Sequence, residues 1–189
     1  MKEERNYAGM DLFLFGYVGE EGTRILAREG WEKLAKRLPE DFLAGIRDQK
    51  VFSLTAEELR DETGAAFVRP LGEGGLLAAL WELSREVNAG FCLDLKNVPI
   101  HQETIEVCEI LGLNPYQLSS GGAFLVLSEK AGELFWRYRD GSLPARMVGR
   151  ISGDMDKKIY IGEHVCYLNR PGPDELLRFR RENRKGGIE

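Results

Sequence analysis

Short apolar runs alternate with segments of helical periodicity along this chain, and glycine clusters mark most of the changes from one to the other. Residues 12–15, 91–95 and 123–127 are such runs. Runs of four or five residues that are wholly or mostly apolar fit a buried strand and are too short for a core helix. Leu76 and Leu80, by contrast, begin a pattern with helical spacing. The alternation predicts a domain in which strands and helices are interleaved.

Three more strands are predicted near the C-terminal end, at residues 148–151, 158–161 and 165–168. The turn formers Gly162-Glu163 join the second of these to the third, as in a β-hairpin. Because hairpin strands pair antiparallel, this end of the chain favours an α+β domain with a mixed sheet over a purely parallel, doubly wound sheet.

The remaining elements are predicted from periodicity and from start and stop signals. A strand at residues 65–68 should end at Pro70. One helix is predicted from Ala27 to a stop at Pro39, and shorter helical pieces follow over 40–62, with a capping box at Thr55-x-x-Glu58. Two further helices are predicted from Leu76 to a stop at Gly90 and from Pro99 to Gly112. A last helix is predicted to begin with a cap at Ser128 and to continue through Leu134 and Trp136.

Composition is that of an ordinary globular domain. The 189 residues are 43% hydrophobic and 30% charged, which suffices for a core without disulfides or metals. No apolar run approaches the ~20 residues of a membrane span, and residues 1–5 lack the apolar stretch of a signal peptide. A net charge of −5 argues against nonspecific nucleic-acid binding. We therefore expect a cytoplasmic protein with neither membrane nor nucleic acid as a partner.

The cysteines and histidines predict neither a disulfide framework nor a metal site. Cys92, Cys108 and Cys166 lie far apart and form no C-x-x-C pair, and only two histidines are present. Cys92 and Cys108 fall on apolar faces, so we expect both in the core. His101 stands at a predicted helix start and is interpreted as a capping or surface residue.

The segment Gly72-Glu73-Gly74-Gly75 lies between a predicted strand and a helix start. Free N–H groups at a helix N-terminus can hold a phosphate, and glycine lets the anion approach closely. The segment is neither a Walker loop nor a G-x-G-x-x-G fingerprint, and spacing alone favours a tight strand-to-helix turn as the explanation of the glycines. The Glu73 carboxylate would repel phosphate unless it binds magnesium or accepts an N–H from a ligand.

Two other loops offer backbone N–H and hydroxyl groups. Ser119, Ser120 and Gly121 precede a strand and could donate to a ligand, or could form a plain loop of turn formers. A secondary loop with Gly19, Gly22 and Thr23 precedes a helix, and there packing requirements explain the glycines as well as an anion does. No Ser-His-Asp set is present, and the basic residues of 178–185 are interpreted as a solvated, frayed tail.

Five motifs, taken together, resemble a known family. In chain order they are Gly16-x-x-Gly19-x-x-Gly22-Thr23, Glu73-Gly74-Gly75-Leu76-x-x-Ala79-Leu80-Trp81-Glu82, Pro99-Ile100-x-Gln102-Glu103-Thr104, Leu113-Asn114-Pro115-Tyr116 and Ser119-Ser120-Gly121. This combination resembles the C-terminal domain of the AIR (aminoimidazole ribonucleotide) synthase-related superfamily. The nearest branch is that of the hydrogenase maturation factor that dehydrates a carbamoyl group to a nitrile.

The resemblance implies a three-layer α/β/α domain with a mixed sheet over about residues 11–177, with a basic tail at 178–189. Family members usually carry a preceding N-terminal domain that supplies most ATP and magnesium ligands, and we expect that domain to be absent here. The family pattern Asp-x-Thr-Glu-Gly-Gly has Pro70 and Gly72 at its first and third positions in this chain. We therefore expect no catalytic residue, metal ligand or cofactor in the chain alone, and ATP with magnesium only if the N-terminal domain is supplied.

The function implied is that of a half-enzyme which borrows an ATP-binding partner, or of a stand-alone domain that binds a phosphate-bearing ligand. A fragment of a complete ATP-dependent enzyme and a non-catalytic interaction module are the alternatives. The expected partners are an N-terminal-domain protein in trans and a weak homodimer. A phosphate should bind between the start of the helix at Glu73 and residues 119–121, and Gly75→Val should abolish its binding while leaving the fold intact.

Overall fold

A mixed β-sheet of seven strands organises the molecule. The computed structural model describes residues 6–48, 55–129, 133 and 144–185. The strands are β1 (Asp11–Phe15), β2 (Phe67–Gly72), β3 (Phe91–Asp94), β4 (Ser120–Ser128), β5 (Ala145–Ile151), β6 (Lys157–Ile161) and β7 (His164–Tyr167). Their order in the sheet is β2-β4-β1-β5-β3-β6-β7.

One pairing in this sheet is parallel and the others are antiparallel. β3 pairs parallel with β6, with Cys92 opposite Lys158. β1 is central and pairs antiparallel with both β4 and β5, so that Phe13 lies opposite Val126. β6 and β7 form the hairpin predicted around Gly162-Glu163. The predicted α+β class and mixed sheet are confirmed.

The helices of the described residues are α1 (Glu20–Glu29), α2 (Trp31–Leu34), α3 (Glu40–Asp48), α4 (Ala56–Thr63), α5 (Gly75–Glu86), α6 (Gln102–Leu111) and α7 (Glu175–Lys185). The predicted capping box is present, because the Thr55 hydroxyl accepts from the Glu58 N–H while the Glu58 carboxylate accepts from the Thr55 N–H. The helix predicted after Ser128 lies outside the described residues.

Two helix boundaries differ from the prediction. The single helix expected over 27–38 is two helices, because the chain breaks at Gly30, whose N–H bonds the Leu26 carbonyl. The first of them begins at Glu20, so Gly22 and Thr23 lie inside a helix and not in a loop. A glycine both lowers helix propensity and permits the cap that ends α1.

Two strand boundaries also differ. β2 continues through Pro70 to Gly72 because it is an edge strand, where the missing N–H of proline costs no ladder bond. β4 begins at Ser120, so Ser120 and Gly121 are strand residues and not part of a loop.

Alternation along β1 sends side chains to two buried faces of the sheet. Leu12 and Leu14 pack with α5 in the largest core cluster, and Phe13 and Phe15 pack on the opposite face with Leu59 of α4. Burying each such side chain stabilises the fold by about 1.5–3 kcal/mol. α5, the sheet and α4 are thus three layers, as predicted.

A third cluster forms where α1, α2, α3, α6 and α7 meet. Leu176 and Phe179 of α7 are buried in it. The Arg180 guanidinium lies 2.6 Å from the Glu29 carboxylate, and its hydrogen bond lowers the pKa of Glu29. The prediction of a frayed tail is therefore wrong for residues 178–185, because they continue the helix and Phe179 anchors it in this cluster.

The cysteines occupy three different environments. Cys108 is buried as predicted, and burial raises the pKa of its thiol to about 12. Cys92 is only half-buried, because it points to the face of β3 that α5 does not cover, where it lines a cavity of about 400 Å³. Its assignment to the core is therefore wrong. Cys166 is exposed on β7. Within the described ranges, no helix has the length and apolar character needed to cross a membrane.

The close approach of β3 and β5 gives a test of the fold. A Cβ at Gly149 would lie 2.1 Å from the Cys92 carbonyl oxygen, whereas a Cβ at Gly45 in α3 would meet nothing within 4 Å. We expect Gly149→Ala to lower the free energy of unfolding by about 2–3 kcal/mol through overpacking. The matched Gly45→Ala should raise it by about 0.5–1 kcal/mol through helix propensity. Urea unfolding measures both, and a neutral Gly149→Ala would contradict the strand spacing.

Candidate functional site

Segments far apart in sequence meet at the start of α5. They are the turn at residues 72–74, residues 116–121 leading into β4, residues 16–23 entering α1, and residues 171–174 before α7. All three predicted groups of site residues lie in this region. What the residues contact there decides their role.

A buried carboxylate lies at the centre of this junction. Asp174 is only 2% exposed. Its Oδ2 accepts the Gly74 N–H at 2.6 Å and the Ser119 hydroxyl at 2.8 Å. Its Oδ1 accepts the Leu176 N–H at 2.7 Å, which caps α7. The N–H and O–H groups predicted to hold a phosphate therefore hold an anion supplied by the chain itself.

Ser120 joins the start of α1 to the start of β4. Its hydroxyl oxygen accepts the Gly19 N–H at 2.7 Å and donates to the Leu118 carbonyl at 2.7 Å. The Gly22 N–H bonds the carbonyl of Ser119 at 2.9 Å. The polar groups of Ser120 and Gly22 are therefore hydrogen-bonded within the protein. For these two residues, this supports a role in packing over a role in binding a ligand.

Two more predicted residues are also engaged. The Gly121 N–H donates to the Glu21 carboxylate at 3.0 Å. The Thr23 hydroxyl donates to the Gly19 carbonyl at 2.7 Å and lies 2.9 Å from the Thr104 hydroxyl, which ties α1 to α6. A carboxylate thus receives an N–H at Gly121 as well as at Gly74.

The glycines of the junction are required by close protein contacts. A Cβ on Gly75 would lie 2.5 Å from the Leu118 carbonyl oxygen, and φ at Gly75 is +61°. A Cβ on Gly22 would lie 2.4 Å from the Leu118 Cγ, and one on Gly19 would lie 2.8 Å from the Thr104 Cγ2. The expectation that Gly75→Val leaves the fold intact is therefore wrong, because a side chain there meets backbone and forces a conformation that valine resists.

The other charged groups near α1 and α5 are mostly acidic. Glu73 is exposed in the turn before α5. Burial raises the pKa of the Glu20 carboxyl, while His101 and Arg24 oppose that shift. His101 occupies the N-cap position of α6 without capping it through its side chain, and its ring stacks on Tyr17 at 3.6 Å.

This arrangement can bind an anionic oxygen through N–H and O–H donors, as the Asp174 carboxylate demonstrates. In the described part of the chain, no group of three histidine, cysteine or acidic residues is placed to hold a metal ion. An anion from outside would compete with Asp174 for the Gly74 and Ser119 donors.

Sequence reasoning missed Asp174 and Glu21. Asp174 follows Pro171-Gly172-Pro173 and precedes a helix, which is a capping signal and predicts the bond to Leu176. Nothing local predicts its bond to Gly74, which is 100 positions away. Glu21, likewise, gave no signal beyond a place in the first turn of α1.

Curated proteins of similar sequence include several hydrogenase maturation proteins. The chain is 30% identical over 116 residues to the carbamoyl dehydratase HypE of Rhodobacter capsulatus, which covers 61% of this chain and 32% of that protein. It is 24% identical over 170 residues to HypE of Bradyrhizobium diazoefficiens, and this match covers 89% of this chain and 46% of that protein. No family model matches the chain.

Solved structures of similar fold point to the same proteins. A hydrogenase maturation protein HypE in complex with ATP superposes with a TM-score of 0.71 at 19% identity, over 92% of this chain and 54% of that one. Thiamine-monophosphate kinase from Stenotrophomonas maltophilia superposes with a TM-score of 0.61 at 17% sequence identity, over 86% of this chain and 52% of that one.

The chain spans about a third of the length of the first curated relatives that it matches. The whole-protein activities of those relatives therefore do not transfer with the match. Sequence and fold together support the predicted resemblance to the AIR synthase-related superfamily and, within it, to the hydrogenase maturation branch.

Proposed function

We propose that this chain provides one wall of an ATP-dependent site that an ATP-binding domain completes, either from a separate protein or from the same polypeptide. The observation that carries the proposal is the anion held by the Gly74 N–H and the Ser119 hydroxyl at the start of α5. The resemblance in fold to an ATP-bound HypE agrees with it. A HypE-HypF complex is a further structural relative, which supports work with a partner.

The donors suit a phosphate for the same reason that they suit Asp174. A phosphate oxygen, like a carboxylate oxygen, accepts N–H and O–H bonds, and charge-assisted bonds of this kind contribute about 1.5–3 kcal/mol each. The positive end of the α5 dipole adds to the attraction. The ligand class proposed is therefore a phosphate-bearing molecule that takes over the Asp174 positions.

The chain supplies little of what phosphoryl transfer needs besides these donors. That chemistry requires metal ions on the phosphates and a positioned acceptor. The described residues hold a phosphate position but no metal-binding group of three. ATP and magnesium are therefore assigned to the completing domain, and Gly74 and Ser119 to positioning a phosphate once it arrives.

Binding of inorganic phosphate can be followed by nuclear magnetic resonance. Asp174→Asn removes the competing charge, so we expect it to bind phosphate about tenfold more tightly than the wild type does. The chemical-shift changes should occur at residues 72–76 and 119–121. Stability should fall by about 1–3 kcal/mol, because charge-assisted bonds are lost. Asp61→Asn, an exposed aspartate in α4, matches the charge change and should leave the affinity at the wild-type value. Chemical-shift changes that cluster on α7 and spare residues 72–76 and 119–121 would refute the assignment of the phosphate site.

ATP turnover separates a partial site from a complete one. With magnesium and ATP, the chain alone should release no ADP above background, because its described residues include no group of three that could hold a metal ion. Adding the ATP-binding domain of a HypE-like protein should produce ADP release that Ser119→Ala reduces. Turnover by the isolated chain near roughly 1 s⁻¹, an ordinary enzymatic rate, would contradict the proposal.

A further inference from the structure

The two edges of the sheet differ in how they are protected against pairing with another strand. β2, at one edge, contains Pro70, and its register shifts between Pro70 and Gly72. Proline and irregular register are common devices that stop edge-to-edge association. β7, at the other edge, is fully exposed and contains no proline and no register shift. The sheet therefore has one blocked edge and one open edge.

The outward-facing backbone groups of β7 can be identified from its pairing with β6. The two-residue turn makes Ile161 and His164 a hydrogen-bonded pair, and the Leu168 N–H bonds the Lys157 carbonyl at 2.8 Å. Every second residue of β7, beginning at His164, thus faces β6. The N–H and C=O groups of Val165 and Tyr167 face the open edge.

Exposed apolar side chains collect at the same edge. Val165 is 44% exposed and Tyr167 is 59% exposed, and both are on β7 itself. Ile161, which is 48% exposed, lies on β6 and so away from the open edge. A strand that presents both free backbone groups and apolar side chains is a site for strand addition.

We propose that β7 pairs antiparallel with β7 of a second copy of this chain, with Cys166 directly opposite Cys166 of that copy. The strand is self-complementary about this centre. Val165 then faces Tyr167 of the second copy and Tyr167 faces its Val165, so the four outward-facing residues form hydrogen-bonded pairs. Cys166 occupies a pair without hydrogen bonds, in which Cα atoms are about 4.5 Å apart.

Charge at the ends of the strand selects this partner and orientation. Glu163 precedes β7 and Arg170 follows it, and neither has an ion pair among the described residues. In the antiparallel arrangement, the end of β7 next to Glu163 lies beside the end of the second copy that leads to Arg170, and the reverse. A parallel pairing would instead bring like charges together at each end, which is unfavourable.

Sedimentation of the wild-type chain from roughly 10 µM to roughly 1 mM tests the association, since a four-residue strand should give a weak, reversible dimer. Val165→Pro removes an outward N–H that makes no bond to β6, and should weaken dimerisation at least roughly tenfold. Val165→Lys, which keeps all backbone groups, is a second variant with the same expectation. Ile161→Thr removes a similarly exposed apolar side chain away from the open edge and should leave the dimer intact.

Oxidation by diamide tests the register. Diamide takes up the two protons and two electrons that a pair of thiols releases when their sulfurs bond, and facing Cys166 residues should give a disulfide dimer on a non-reducing gel. Cys166→Ser should abolish it. In Cys166→Ser with His164→Cys, the two new thiols would be about 13 Å apart along the strands, too far for a disulfide.

Three results would overturn the proposal. A chain that stays monomeric at the highest concentration excludes the association. A dimer that neither substitution at Val165 weakens uses another surface. Equal cross-linking by the thiols at 164 and 166 shows random collision and not a fixed register.

Discussion

The carboxylate of Asp174 is a buried link between the helical cluster and the layer formed by α5 and the sheet. Burying a charge costs several kcal/mol unless hydrogen bonds replace its water, and three donors do so here. Two donors belong to the sheet side of the molecule, at Gly74 and Ser119, and the third caps α7. Because α7 carries Leu176 and Phe179 into the cluster with α1 and α6, this one side chain joins the helical cluster to the layer formed by α5 and the sheet.

Local pattern predicted the elements but not the constraints that packing places on them. Apolar runs located β1 and β4, and the spacing of Leu76 and Leu80 located α5, because burial of one face imposes that periodicity directly. Pro70 misled the prediction, since an edge strand tolerates it and the sequence does not show which strands are edges. Cys92 has the apolar neighbours of a core residue, but whether its side of the sheet is covered depends on helices elsewhere in the chain.

The sequence predicted that the candidate residues lie close together, but it did not predict what they contact. The glycines before α5 and α1 indicate that another group approaches the backbone closely there. Either a phosphate or a protein segment could be that group. Only the fold shows that Leu118 is what approaches Gly75 and Gly22. The departure at Gly72 agrees with its backbone, because φ there is +58°, a value that glycine adopts readily and that would strain a threonine.

An internal anion in a site proposed for phosphate has an energetic consequence. Any phosphate that takes the Gly74 and Ser119 donors must displace Asp174, whose remaining bond is the cap of α7. The ligand therefore gains only the difference between its own bonds and those of the carboxylate, which keeps intrinsic affinity low. Displacement also releases the N-terminal end of α7 from α5, so occupancy of the site and the position of that helix are thermodynamically coupled. A partner that contacts α7 would then alter phosphate affinity by the same factor by which phosphate alters partner affinity.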